Sequence, residues 1–331
     1  MHFHVAGNTV FDLRIAQWPD AEAAGDDGWT ASNVVLTDDP PTPMLGGCGA
    51  APAYALGRLS HGLNTVSLNT SLGADLFGGL AHLWLVHAGV ALLAPPEPGV
   101  ATSTHIIHAE AERRRSAFYR GHRVDWCRSL EAPTPDWFLA AGYGLVEAAD
   151  ADELTEVCSE LAQNGSQIVV DPGPWFAQCA TADQLSPLWP HVDVLVGTAD
   201  ELCPYVEDHI EVDDLPKALL KLGVRTAIVK RGAEGASWAQ RQNDGHTQTF
   251  AVDAGYSVGA GDTFNARLVF GLARGDELSD AVRAACGLAT RVVTEGRGVL
   301  GAFGDHPAVE GLTPGCDLSG VPVGPLHLDT K

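Results

Sequence analysis

Residues Gly255 to Gly275 read GYSVGAGDTFNARLVFGLARG, with three glycines and an aspartate set directly ahead of a run that has the apolar spacing of a buried helix. A helix start leaves backbone N–H groups unpaired and carries the positive end of the helix dipole. Glycines let a ligand come close to the backbone, so Gly259, Ala260 and Gly261 form a candidate anion cradle, with phosphate the obvious anion. Asp262 stands among the same donors, which should keep it ionised. A carboxylate there opposes phosphate binding unless it has a second task. Orienting and deprotonating a hydroxyl that attacks phosphorus is the task that fits. Taken alone, these four residues are explained more simply by an N-cap at Asp262, worth about 1 kcal/mol. The rest of the chain has to decide.

Around this stretch, short β-like runs alternate with helical ones. HFHVAG, NTVSLN, DWFLAAG, SQIVVDPG, VDVLVGT and RTAIVKRG are compact apolar runs bounded by Gly, Pro, Asn or Asp. GAAPAYALGRL, ADELTEVCSELAQNG, DDLPKALLKLG and LSDAVRAACGLATRVVTE carry helical periodicity with cap residues at their ends. The alternation predicts an α/β fold with a largely parallel central sheet. Two segments break the rhythm, from about Leu13 to Met44 and from about Thr102 to Arg128. They read either as strands of a small second sheet, a lid over the main domain, or as ordinary surface insertions. Residues after Gly304 read as an irregular tail, which gives a main domain over 1–304 and a C-terminal segment over 305–331.

Composition narrows the function classes. The chain has 331 residues, 45% of them hydrophobic, enough for one large domain with an elaboration. Neither a signal peptide nor a run of eighteen apolar residues is present, so a cytoplasmic protein is expected. Seven dispersed cysteines without a CxxC pair argue against a disulfide framework and against a zinc site. A formal charge of −22 repels phosphate backbones and anionic lipid, so neither nucleic acid nor membrane is an expected partner.

Six elements in order then resemble the PfkB, or ribokinase-like, carbohydrate kinases over roughly Val5 to Gly301. VAGNTVFD is similar to the family's first strand, ending in its substrate-binding aspartate, here Asp12. GGCGAAPAYALGRL from Gly46 resembles the first signature, and LGADLFGG the GxDxxG element with Gly73, Asp75 and Gly78. GTADEL resembles the NxxE element, VKRGAEGA the strand and turn beneath the nucleotide, and VGAGDTFNA the second signature. The resemblance implies a three-layer α/β sandwich with a small β lid, built from the two rhythm-breaking segments, through which a homodimer could form. It also implies Asp262 as general base, Gly259, Ala260 and Gly261 as anion hole, and Mg²⁺ on ATP held by Glu201 through water. Lys230, Gly232 and Gly235 would line the nucleotide, with Cys286 near adenine, while Asp12, Gly46 and Gly47 would face the sugar. Arg120, in RRRSAFYRG, would reach a hydroxyl or carboxylate of the acceptor or would simply balance local acidity; a sugar or sugar acid is the expected acceptor, with a nucleoside as the alternative.

Three departures qualify the match. Ala51 and Thr198 stand where the family's signatures have Asn, and Tyr256 stands where members that use a monovalent cation have Asp. The last argues against activation by potassium unless another carboxylate, such as Asp253, substitutes. Together the three also support a rival reading, a sugar-binding regulator without turnover. A dinucleotide-binding reading of GRGVLG, Gly296 to Gly301, fails because this GxGxxG follows a helix rather than a strand. No GxxxxGK[ST] occurs, which excludes a Walker-type ATPase.

Overall fold

The computed structural model describes residues 1–15, 37–109, 114–142, 147–206, 210–241, 243–249, 252 and 256–304. The tail 305–331, Arg113, Asp253 and the stretch 16–36 of the first rhythm-breaking segment lie outside the described residues.

From the amino terminus the chain runs β1 (His2–Ala6), β2 (Val10–Ile15), β3 (Thr42–Gly46), α1 (Ala50–Ser60), β4 (Thr65–Asn69), α2 (Leu76–His87), β5 (Val90–Leu92), β6 (Ser103–Ala109) and β7 (Arg114–Tyr119). After a 3-10 turn at Trp126–Glu131 come β8 (Trp137–Ala141), α3 (Ala148–Gln163), β9 (Gln167–Asp171), the short helices α4 (Phe176–Cys179) and α5 (Ala182–Leu185), and β10 (Val194–Thr198). The remainder is α6 (Ala199–Leu202), α7 (Leu215–Leu219), β11 (Thr226–Lys230), β12 (Ala236–Gln240), β13 (Asn243–Thr247), α8 (Ala260–Ala273), α9 (Leu278–Glu295) and α10 (Gly298–Ala302).

Nine strands form one sheet in the order β13-β12-β11-β10-β9-β8-β1-β4-β5. All neighbours from β11 to β5 are parallel, and the hairpin β12–β13 adds two antiparallel strands at one edge. Parallel strands are covered on both faces, which is why the apolar runs are nearly continuous. In β8, Leu139 packs on the side of α1, α8 and α9, while Phe138 and Ala140 face the side of α3. These layers bury most of the large apolar side chains, each fully buried one contributing roughly 1.5–3 kcal/mol.

The two rhythm-breaking segments supply a second, four-stranded sheet in the order β3-β2-β6-β7. It is mixed: β2 pairs antiparallel with β3 and parallel with β6, and β6 pairs antiparallel with β7. Residues 120–128 leave this sheet, and Val124 and Trp126 enter the core on the α3 side of the large sheet. Among the described residues no helix is long and apolar enough to cross a membrane.

Candidate active site

In a parallel sheet every carboxyl end opens on the same edge, and ligands collect there. The ends of β9, β10 and β11 put Asp171, Thr198 and Lys230 side by side on that edge. The start of α8 lies over them. Gly259 is its N-cap with φ +84, a left-handed conformation that suits glycine and that turns the chain into the helix. The Ala260 N–H donates to the Ser257 carbonyl at 3.1 Å. Of the three expected cradle donors, Ala260 is thus occupied, whereas Gly259 and Gly261, with Asp262, have N–H groups that meet no acceptor among the described residues. A Cβ on Gly261 would stand 3.4 Å from Lys230 Nζ, so the absence of a side chain brings the ammonium against the helix start.

Two cavities of about 490 Å³ each adjoin this point. Asp262, Asp12, Asp171, Glu201 and Gly47 line the first, together with His105, Ser116 and Phe118 from the smaller sheet, and Trp175. The second is more apolar and takes Gly232, Gly235, Phe264, Cys286, Ala289 and Val293. Thr198, Lys230, Ser257 and Gly261 line both, so the cavities meet over the cradle and the ammonium.

The electrostatics are dominated by four carboxylates around one ammonium. Lys230 Nζ lies 2.8 Å from Asp171 Oδ2, which also accepts from Asn265 Nδ2 at 2.6 Å. Burial alone would lower the Lys230 pKa, but Asp171 and Glu201, with Asp262, hold it above its ordinary value. Asp262 departs from expectation. Its enclosure by protein, added to by Asp171, pushes its pKa up to about 7; Lys230 pulls the other way, and Glu201 and Asp12 raise it further. The local N–H donors do not hold it ionised as expected, because desolvation and three carboxylates from other parts of the chain outweigh them. Burial likewise raises Asp12, against a lowering by His105, whose Nδ1 is 3.6 Å from Oδ1.

Most of the expected site residues converge. Glu201 faces the first cavity and is held by a capping box: the Thr198 N–H donates to Glu201 Oε2 at 2.7 Å, and the Glu201 N–H to Thr198 Oγ1 at 3.4 Å. Thr198 therefore does the capping that an Asn would do at this position. Ala51 is fully buried in α1, and the loop before it is tied instead by Asn8, whose Oδ1 accepts from the Cys48 N–H at 3.0 Å. Gly46 lines neither of these two cavities; a Cβ there would overlap the Asp12 carboxylate, so it makes room for that group. Arg120 is not brought to the site. Its side chain is 63% exposed, with Nη2 3.8 Å from Glu147, because it follows β7 instead of projecting from the strand face that carries Ser116 and Phe118. Missed from the sequence were Asp171, legible only as an acid closing a strand, and His105, which strand register sets opposite Asp12.

Such an arrangement defines a class of α/β protein in which two cavities adjoin over a helix amino terminus at the carboxyl edge of the sheet. Residues 31–300 match the sequence profile of the pfkB family carbohydrate kinases, and the chain belongs to that family, whose members are phosphotransferases. It is 26% identical over 178 residues to an aminoimidazole riboside kinase of Salmonella typhimurium, a stretch of 51% of this chain and 56% of that one; the match thus spans little more than half the relative's length. A putative ribokinase II from E. coli, solved with ATP and Mg²⁺, superposes with a TM-score of 0.71 at 19% identity, covering 91% of this chain and 97% of that one. Ribokinase from Thermotoga maritima gives 0.67 at 19% identity, with 88% and 92% covered. The Arabidopsis thaliana ribokinase complexed with ribose and ATP gives 0.66 at 16%, with 90% and 94% covered.

Proposed function

We propose that the protein transfers the γ-phosphoryl group of ATP to a hydroxyl of a small uncharged sugar or nucleoside. The observation that carries this reading is the sharing of Lys230, Ser257 and Gly261 by both cavities, with Asp262 on the acceptor side. ATP would lie in the second, apolar cavity with its base near Cys286 and its phosphates toward Gly259 and Gly261. Asp262 would take the proton of the acceptor hydroxyl as it attacks, and Lys230 and the cradle N–H groups would stabilise charge on the transferred group. Asp12, within reach of His105, would orient the other hydroxyls of the acceptor. The smaller sheet, which walls the first cavity through His105, Ser116 and Phe118, would act as a lid.

Of the sugar or sugar acid expected from the sequence, charge argues for the uncharged acceptor. Among the described residues lining the first cavity, Lys230 is the one lysine or arginine, and it already serves Asp171. A screen with ATP and Mg²⁺ against neutral sugars, sugar acids and nucleosides tests the proposal. Phosphorylation confined to sugar acids would reverse the choice of acceptor, and no transfer to any of them would favour the regulator reading.

Oxygen donors such as these carboxylates suit Mg²⁺, and Glu201 would hold it, directly or through water, where the ion would neutralise phosphate charge. Glu201→Gln is expected to move the Mg²⁺ dependence of turnover to about tenfold higher concentration or more. An unchanged titration would remove Glu201 from this role.

A monovalent cation has no carboxylate at position 256. The Tyr256 ring is buried against Met44 and Ile107, with the Arg14 guanidinium over it, 5.3 Å from the centroid. Activity in potassium and in an organic cation salt of equal ionic strength is expected to agree within about twofold, because a neutral phenol is a poor ligand for a hard cation. Saturable activation by potassium would contradict this.

A further inference from the structure

Arg14 is carried on β2, two residues past Asp12 and so on the same face of the strand. Its guanidinium lies over the Tyr256 ring, and its Nη1 is so near the backbone of Gly296 that a Cβ there would stand 3.4 Å away. Gly296 is the left-handed C-cap of α9, the helix of 18 residues, and the carboxyl end of such a helix carries partial negative charge. The arginine is partly buried, yet among the described residues no carboxylate pairs with it. Among the described residues, the Tyr256 ring and the carboxyl end of α9 are the groups set against its charge.

From Arg14 the contacts run without a gap to the cradle. Tyr256 packs with Met44, Ile107 and Val258. The Val258 carbonyl oxygen faces Gly298, 3.8 Å from where a Cβ would stand, and Gly259 sits against Val299 N and the Gly298 Cα at 3.5 and 3.7 Å by the same measure. A residue of the smaller sheet thus presses on the turn that orients the Gly259 and Gly261 N–H groups, and brings a positive charge behind it.

We propose that Arg14 is a tethered cation, built into the smaller sheet, which clamps the Tyr256–Gly259 turn to the end of α9 and so fixes the cradle in its anion-binding conformation without a dissociable ion. It is a positioning residue, acting through Tyr256, and its consequence for turnover rests on the kinase reading above.

The test compares the wild type with Arg14→Met, which keeps apolar bulk and loses the charge, and with Arg14→Lys. In the unliganded protein, exchange of the Ala260 amide, which is hydrogen-bonded to the Ser257 carbonyl across the turn, is expected to speed up about tenfold or more in Arg14→Met, while the β1 and β9 amides keep their rates. Millimolar guanidinium, but not urea at equal concentration, should slow it again, and Arg14→Lys should stand between the two. In turnover, Arg14→Met should lose about tenfold or more in kcat with little change in acceptor KM, and should gain a stimulation by guanidinium that the wild type lacks. Unaltered exchange in Arg14→Met overturns the proposal, as does a loosening that guanidinium fails to reverse, which would make Arg14 packing alone. The exchange measurement needs no turnover, so an inactive wild type would remove the kinase reading and leave this inference to stand or fall separately.

Discussion

Asp262→Asn is expected to cut kcat by about 100-fold or more while leaving ATP and acceptor affinities nearly unchanged, since the amide keeps the shape and loses only the capacity to take a proton. In the wild type, activity should rise with pH through the point where Asp262 ionises, about 7. The same group also links activity to stability. Its pKa is about 7 in the folded chain against an ordinary 3.8, so the folded state holds the proton longer. Folding stability attributable to this carboxyl therefore falls as pH rises between those values and stays reduced above them. Asp262→Asn removes that penalty, and the variant should melt at a higher temperature than the wild type at pH 8, with the difference vanishing in acid. A variant both fully active and no more stable at pH 8 would falsify the assignment of Asp262 as an enclosed general base.

Lys230→Met should be costly in two ways. Removing one member of a buried pair strands the other, and Asp171 would be left with Asn265 as its remaining side-chain donor at a cost of about 3–5 kcal/mol. Turnover should fall as well, by about 100-fold, because the ammonium shared by both cavities is lost. Since Lys230 lowers the Asp262 pKa, the residual activity should have its pH midpoint shifted upward. Combining the change with Asp171→Asn separates the two effects. The double variant should recover much of the stability seen in urea titrations, yet none of the turnover. If Lys230→Met unfolds at the wild-type urea concentration, the pair does not carry the load given to it here.

The elements that were legible in the sequence share one physical cause. Strands buried on both faces, such as SQIVVDPG and VDVLVGT, read as compact apolar runs, and α9 declares itself by a clean apolar stripe ended by Gly296. The hairpin β12–β13 escapes this logic because its outer strand, NDGHT, is an edge with mostly exposed, polar residues. So does α2, LFGGLAHLWLVH, which is apolar all round and contains two glycines, leaving no stripe to find. At the site, motif order located Asp12, Glu201, Lys230, Gly232, Gly235 and Asp262 on the two cavities, but side-chain direction was beyond it. Arg120 lies close along the chain to Ser116 and Phe118 and still misses the cavity they line. The protonation of Asp262 was misjudged for a related reason. The donors that favour its charge are its immediate neighbours in sequence, whereas the carboxylates that oppose it arrive from β2, β9 and α6.

The place of β1 in the large sheet bears on how the chain is made. It lies between β4 and β8, so β1 cannot gain both neighbours until Ala141 has been synthesised. The smaller sheet, whose last strand ends at Tyr119, can close sooner. During that interval β1 has an unpaired edge and the apolar face of Phe3 and Val5 lacks part of its cover, since α8 arrives later still. Long-range parallel pairing of this kind is slow and leaves nascent chains exposed to misassociation. The chain's strong net negative charge, −22, sets a mutual repulsion between neighbouring nascent copies against that hazard.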